Sequence, residues 1–267
     1  MKPLNILLIP FVLILAGCAE YVTPGDKADL TRLAPPQIRE GFQREPSNPF
    51  PASIVAVRVQ GRNYSNYNLE RTGGVYGSGN FTVITTREVE SEADLSRIRD
   101  LPMVNDVISL NRLLIPQTLD SLDQLREAAS SLKADLVLVY TFDTVFFDED
   151  RARVLTTISL GFSPNRRITA TTTASALLVD TRTGYIYSAY EATSRDTKTA
   201  SVWGSREAAD EARLDTERDA FEKMLEEIQS SWERVIAPAR NPGLTLLDGH
   251  DVPGNPFRTR ARDALVE

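Results

Sequence analysis

Cys18 is the only cysteine in the chain. No disulfide can close within one copy, so the fold must stand without that cross-link. Apolar residues make up 42% of the sequence, enough for one sizeable core in a domain of ordinary size. The prolines mark where that core lies. Pro24, Pro35, Pro36, Pro46, Pro49 and Pro51 crowd the stretch before residue 52, and Pro242, Pro253 and Pro256 follow residue 237. Proline-rich segments are stiff and pack poorly. Residues 18–51 therefore read as a tether reaching at most about 100 Å, residues 52–237 as a single folded domain, and residues 238–267 as a loosely ordered tail.

The cysteine also ends a leader. Met1-Lys2-Pro3 is followed by an apolar run from Leu4 to Ala16, broken only by Asn5 and Pro10, and then by Gly17-Cys18. A basic start, about a dozen apolar residues and small side chains at the cut define an export signal. The run is too short to cross a bilayer, which takes about twenty residues. Leu15-Ala16-Gly17-Cys18 resembles the lipobox of bacterial lipoproteins. That resemblance implies cleavage between Gly17 and Cys18, removal of residues 1–17, and acylation of Cys18, including palmitate. By the same resemblance, Ala19 after the cysteine implies the outer membrane of a Gram-negative envelope, with the domain facing the periplasm.

Within the domain, hydrophobic periodicity alternates between two and 3.6 residues. Ser53–Gln60 and Phe81–Val89 are β-branched and alternating, and predict strands. Gly61–Asn80 is rich in glycine and tyrosine and predicts a loop. Ser91 caps a short helix carrying Leu95, Ile98 and Leu101 on one face, and Pro102 stops it. Ser121 and Gln124 form a capping box for a second helix that leads into the apolar run Asp135–Phe142, a strand covered on both faces. Strands follow near Arg153–Leu160, Ile168–Val179 and Gly184–Thr193, joined by turns at Ser163-Pro164-Asn165 and Asp180–Gly184. A long helix closes the domain from Ser205 to Ile236. Phe221, Leu225, Ile228, Trp232 and Val235 form its docking stripe, while its first half, with pairs such as Arg213/Glu217 at helical spacing, faces solvent or a partner. The expected fold is α/β (α+β): a mixed sheet of about five to six strands, two short helices and one long C-terminal helix.

The order from Leu122 to Thr193 carries a further resemblance. A helix with Ala128-Ala129 leads into Ala134-Asp135-Leu136-Val137. Then come a hairpin, Ala176–Asp180, the Thr183-Gly184 turn and an outgoing strand. This resembles the α/β domain of the curli-export lipoprotein (CsgG-like) and of the N-terminal domain of the Tol–Pal propeller protein. It implies an envelope function and, for the curli-export branch, membership of an oligomeric outer-membrane export assembly. The chain departs from that branch in lacking a second amphipathic hairpin, and the candidate strands around Arg153–Thr173 are threonine-rich where a barrel needs an apolar face.

Chemistry is sparse. The single histidine, His250, lies in the tail, so Ser-His-Asp, Cys-His and His/Cys metal sites are not available to the domain. No cofactor or metal is expected. A net charge of −7 speaks against nucleic acid. Asp143, Asp148, Glu149 and Asp150 cluster after the central strand, where a cation or an acid–base pair of a carboxylate hydrolase would have to be built. The glycine run Gly73–Gly79 lacks the Lys-Ser/Thr of a phosphate loop and precedes a strand. It reads as a flexible loop, with Tyr64, Tyr67 and Tyr76 offered for contact. The expectation is a non-enzymatic binding or scaffold module whose partners are the bilayer, through acylated Cys18, and an envelope protein or a second copy. A subunit of an export assembly and a carboxylate hydrolase are the alternatives.

Overall fold

The computed structural model describes residues 41, 43–150, 166–201 and 204–240. The leader, Gly17, Cys18, the strand expected near Arg153–Leu160, the Ser163–Asn165 turn and His250 lie outside the described residues. The chain is a mixed α/β fold around one sheet, which holds nine strands among the described residues. In chain order the elements are β1 (Ala52–Gly61), α1 (Tyr67–Thr72), β2 (Val75–Tyr76), β3 (Ser78–Gly79), β4 (Phe81–Ile84), α2 (Glu92–Arg99), β5 (Val104–Ser109), β6 (Thr118–Leu119), α3 (Leu122–Ser131), β7 (Leu136–Asp150), β8 (Arg166–Asp180), β9 (Ile186–Ala200) and α4 (Ser205–Arg240). The strand order is β3-β6-β4-β1-β7-β8-β9.

β1 is the hub. It runs parallel to β7 on one side; on the other it pairs in parallel with β5 along Ala52–Ala56 and antiparallel with β4 along Arg58–Gly61. Two faces follow from the period of two. Ile54 and Ala56 of β1 join Leu136, Leu138, Tyr140 and Phe142 of β7 beneath α2 and α4, where Phe221, Leu225, Ile228 and Trp232 pack as the stripe predicts. Val55, Val57 and Val59 join Val137 and Val139 beneath α3, against Leu122, Leu125 and Ala129. The sheet is thus sandwiched between helices, which is why β1 and the start of β7 read as near-continuous apolar runs.

Local signals decide the helix starts. Ser91 Oγ accepts from Asp94 N at 3.2 Å while Ser91 N donates back to Asp94 Oδ2 at 2.8 Å, closing a capping box on α2. Ser91→Ala is expected to cost about 1 kcal/mol in a urea titration. At α3, Gln124 Oε1 accepts from Ser121 N at 3.2 Å. At the β8–β9 turn, Gly184 sits at φ +70° and Asp180 Oδ1 accepts from Arg182 N and Thr183 N at 2.9 and 3.0 Å.

The expected five to six strands are nine among the described residues, and three further expectations are corrected. The second strand ends at Ile84, because β5 occupies the β1 edge that its continuation would need; Thr85–Glu90 leaves the sheet instead. β5 itself was hidden, since only Val107 of its six residues is buried and its alternation is too weak to see. The Gly61–Asn80 stretch contains α1, capped by Asn66, whose Oδ1 accepts from Leu69 N at 2.7 Å. Finally, β7 does not stop at Phe142: it pairs with β8 residue for residue out to Asp150 and Arg166. β7, β8 and β9 are each fifteen residues long and carry the sheet well past the end of β1.

The polypeptide is held against the domain before β1 begins. Asp180 Oδ2 accepts from Ser47 N at 2.9 Å, from Ser47 Oγ at 2.6 Å and from Tyr187 Oη at 3.3 Å. Arg44 Nη1 donates to Gly184 O at 3.3 Å. Phe50 meets Tyr187 and Trp232 edge-on, with ring centroids 5.8 and 6.1 Å apart.

Candidate functional site

An arginine in the middle of an apolar strand demands partners, because a lone buried charge is untenable. Arg58 of β1 shares the face of Ile54 and Ala56 and is 2% exposed. Its Nη2 donates to Tyr64 Oη at 2.9 Å and to Glu217 Oε2 at 3.2 Å, and its guanidinium lies 4.6 Å over the Phe142 ring. Arg213, one turn before Glu217 on α4, donates from Nη1 to Glu217 Oε2 at 2.8 Å and to Glu88 Oε1 at 3.2 Å, and from Nε to Asp210 at 2.9 Å. Glu217 Oε1 accepts from Thr144 Oγ1 at 3.3 Å, and Thr144, Thr172 and Thr216 continue as a hydroxyl chain at 2.9 and 2.8 Å. Asn66 and Asn68 donate to the two oxygens of Glu88 at 2.9 and 2.7 Å.

This network corrects the reading of α4. Its first half is not simply a solvated charged face: Ala209, Ala212, Arg213, Thr216 and Glu217 are buried. Small residues let the helix approach the sheet, and the two charges in its inner face are matched from β1 and from the stretch after β4. The Arg213/Glu217 pair expected from spacing is present, but it is an interior pair with both side chains fully buried.

Electrostatics sort the acids. Burial opposes charge on Glu88, yet Arg213 and Arg58 outweigh it and hold this carboxyl below its ordinary range. Glu90 goes the other way. Burial pushes it up, because its contact to Arg58 is 3.9 Å, beyond hydrogen-bond reach, and it depends on Tyr140 Oη donating at 3.0 Å. Burial pushes the Tyr64 phenol up to about 12, against the pull of Arg58. Beside Glu90 a cavity of about 40 Å³ opens between β1, β4 and α2, lined by Arg58, Thr86, Arg87, Glu90, Ser109 and Tyr140 among others. Glu90 Oε2, Arg58 Nε and Nη1, and Thr86 Oγ1 are buried without a hydrogen-bond partner. A polar space of that size holds about two or three water molecules, which would satisfy these atoms.

The expected contact residues are redistributed. Tyr64 offers no surface, being 5% exposed and spent on Arg58 and Asn66. Tyr67 and Tyr76 are half-buried, and each hydroxyl accepts from the arginine stacked over its own ring, Arg71 and Arg112 respectively. Asp143 and Asp148 do not form a cluster. Both lie within β7, five positions apart and so on opposite faces of the strand, about 16 Å apart along it. A two-carboxylate hydrolase needs its pair within about 10 Å across one bond. Glu149 and Asp150 continue β7, in register with Arg167 and Arg166. No metal-ligating group of His, Cys, Asp and Glu occurs among the described residues.

The outer part of the three long strands differs from the rest. Its inner face is covered by α4: Phe146 and Ile168 pack on Ala208 and Ala209. On the other face α3 covers the Val137, Val139 and Val179 end. Further out, Val145 and Phe147 stand 47% and 58% exposed. Beside them run Thr169, Thr171 and Thr173 of β8 and Thr193, Arg195 and Thr197 of β9, with Thr169–Thr197 and Thr173–Thr193 hydroxyl contacts at 3.1 Å. No family model matches the sequence. No curated protein matches it either. Among the described residues, no helix is long and apolar enough to cross a membrane.

Sequence reasoning missed Arg58, Glu88 and Glu90. The signal was available in part: in SIVAVRVQ the arginine falls on the period-two face of Ile54 and Ala56, and Glu88 and Glu90 repeat with the same period.

Proposed function

We propose that this chain is a lipid-anchored outer-membrane lipoprotein whose α/β domain is a non-enzymatic binding module in the periplasm. The observation that carries the binding reading is the outer face of β7–β9. Two large apolar side chains project from a regular threonine array there, while the opposite face of the same strands is closed by α4. Exposed apolar groups rimmed by polar ones are characteristic of protein contact, and the array suits an envelope protein that presents apolar side chains. The buried charge network serves this module by clamping α4 to the back of the same strands. The lipobox supports the anchor, and acylation with more than one chain would make it permanent.

Two measurements test the reading in intact cells. Labelled palmitate should enter the chain and be lost in Cys18→Ser; labelling that persists in the variant would overturn the anchor. A photo-reactive residue at position 147 should capture one defined envelope protein, and Val145→Ser should reduce that yield without shifting the melting temperature. Capture that is unchanged by Val145→Ser, or no capture at all, would overturn the binding face.

A further inference from the structure

β9 ends the sheet, and among the described residues no strand pairs with its outer side. An open edge of this length is a template for another strand. Which backbone groups point outward is settled by one bond. Glu191 N donates to Glu227 Oε2 of α4 at 3.1 Å, so it cannot be donating to β8. Backbone direction alternates along a strand, and Ala189, Glu191, Thr193, Arg195, Thr197 and Thr199 therefore present their amide and carbonyl groups outward. The bulge opposite Leu178/Val179 ends the run at Ala189.

We infer that β9 is a self-pairing edge: two copies join antiparallel about a two-fold axis through Thr193, making one continuous sheet. This names a second copy as one partner of the binding module proposed above, and it rests on that reading only in needing the domain free to meet another. The charges select the register. With Thr193 opposite Thr193 of the second copy, Glu191 falls opposite Arg195 and Arg195 opposite Glu191, so one patch complements itself twice, as a two-fold interface requires. Both side chains are exposed on the threonine face. The same register puts Ala189 opposite Thr197, with every facing pair drawn from the outward set, which is the hydrogen-bonded pairing of an antiparallel ladder. Shifting the centre by two residues, to Glu191 or to Arg195, would place like charges face to face, which opposes pairing. Glu227 occupies one donor of the edge and must swing away. The open faces of the two copies then merge into a single six-stranded surface.

The test is sedimentation velocity on the mature full-length chain carrying Cys18→Ser, which removes the acyl chains. The unaltered edge should give a dimer. Glu191→Arg and Arg195→Glu should each weaken it about tenfold, two opposed pairs becoming two repelling ones. An equimolar mixture of these two variants should restore the dimer, because both cross-strand pairs are again complementary. Thr193→Pro removes the central outward amide, a change that edge strands tolerate in the fold, and should abolish pairing while leaving the circular dichroism spectrum intact. Glu227→Ala frees the capped amide and should tighten the dimer severalfold. A monomer in the unaltered chain, a dimer indifferent to Thr193→Pro, or no rescue in the mixture would each overturn the inference. Capture at position 147 by an envelope protein would survive all of these edge changes, so failure of the edge and failure of the binding face are separable.

Discussion

Glu217→Ala should be the most damaging single substitution in the domain, lowering stability by about 3–5 kcal/mol. Among the described residues, Glu217 is the only acid that both Arg58 and Arg213 touch within hydrogen-bond distance. Removing it leaves two guanidinium groups in the same interior, one still bonded to Glu88 and Asp210 and the other to a phenol. Arg213 cannot reach water without lifting α4 from the sheet, and Arg58 has only the few waters that its small cavity can hold. In a domain of this size the loss corresponds to a fall in melting temperature of about 10–15 °C. Urea titration followed by the fluorescence of buried Trp232 measures it. Glu217→Gln keeps the shape and one acceptor but removes the charge, and should fall between the unaltered chain and Glu217→Ala. If Gln were as stable as Glu, the network would be a matter of packing alone.

That network marks the limit of what the residues disclose in order. The fold class, the capping residues Ser91 and Ser121, the turn at Gly184 and the stripe from Phe221 to Val235 are local or periodic, and local chemistry decides them. Long-range pairing is not local. Whether TTREVE continues a strand depends on β5 already holding the neighbouring length of β1, and nothing within Thr85–Glu90 records this. The charge of α4 misled for a related reason. Helical spacing pairs Arg213 with Glu217, but a pair at four residues looks the same on a solvated face and in a core. What distinguishes them is Arg58, 155 positions or more away along the chain, whose place on an apolar face was the one cue that a buried counter-charge existed. The acidic residues after Phe142 read as a cluster beyond the end of the central strand. In the structure they continue a strand, where alternation puts Asp143 and Asp148 on opposite faces.

Asp180→Ala should release the chain that leads toward Cys18. Asp180 is fully buried and accepts from five donors: two on Ser47, the Tyr187 hydroxyl, and the amides of Arg182 and Thr183. Hydrogen bonds to a charged acceptor are strong, and stranding buried donors costs more than making them gains, so the expected loss is about 3 kcal/mol. Limited trypsin digestion gives a local readout. With Ser47 released and Arg44 no longer positioned on Gly184, cleavage after Arg44 should accelerate well before the core unfolds. The same bonds make a pH signature. Burial alone would raise this carboxyl, but the Ser47 hydroxyl first, then the amides, outweigh it and hold it below its ordinary value of 3.8. The folded chain then binds that proton less readily than the unfolded one. The stabilisation is complete above the ordinary value and is lost as pH falls through it toward the lower folded value. Unfolding titrations from pH 6 to 3 should show a steeper loss in the unaltered chain than in Asp180→Asn, which has no proton to bind. Equal slopes would show that Asp180 shapes the turn without holding the leash. If the clamp opens, the roughly seven residues from Arg44 to Phe50 add up to about 25 Å to the reach of the domain. On the proposed reading, Asp180 would thus set how far from an anchor at Cys18 the domain can work.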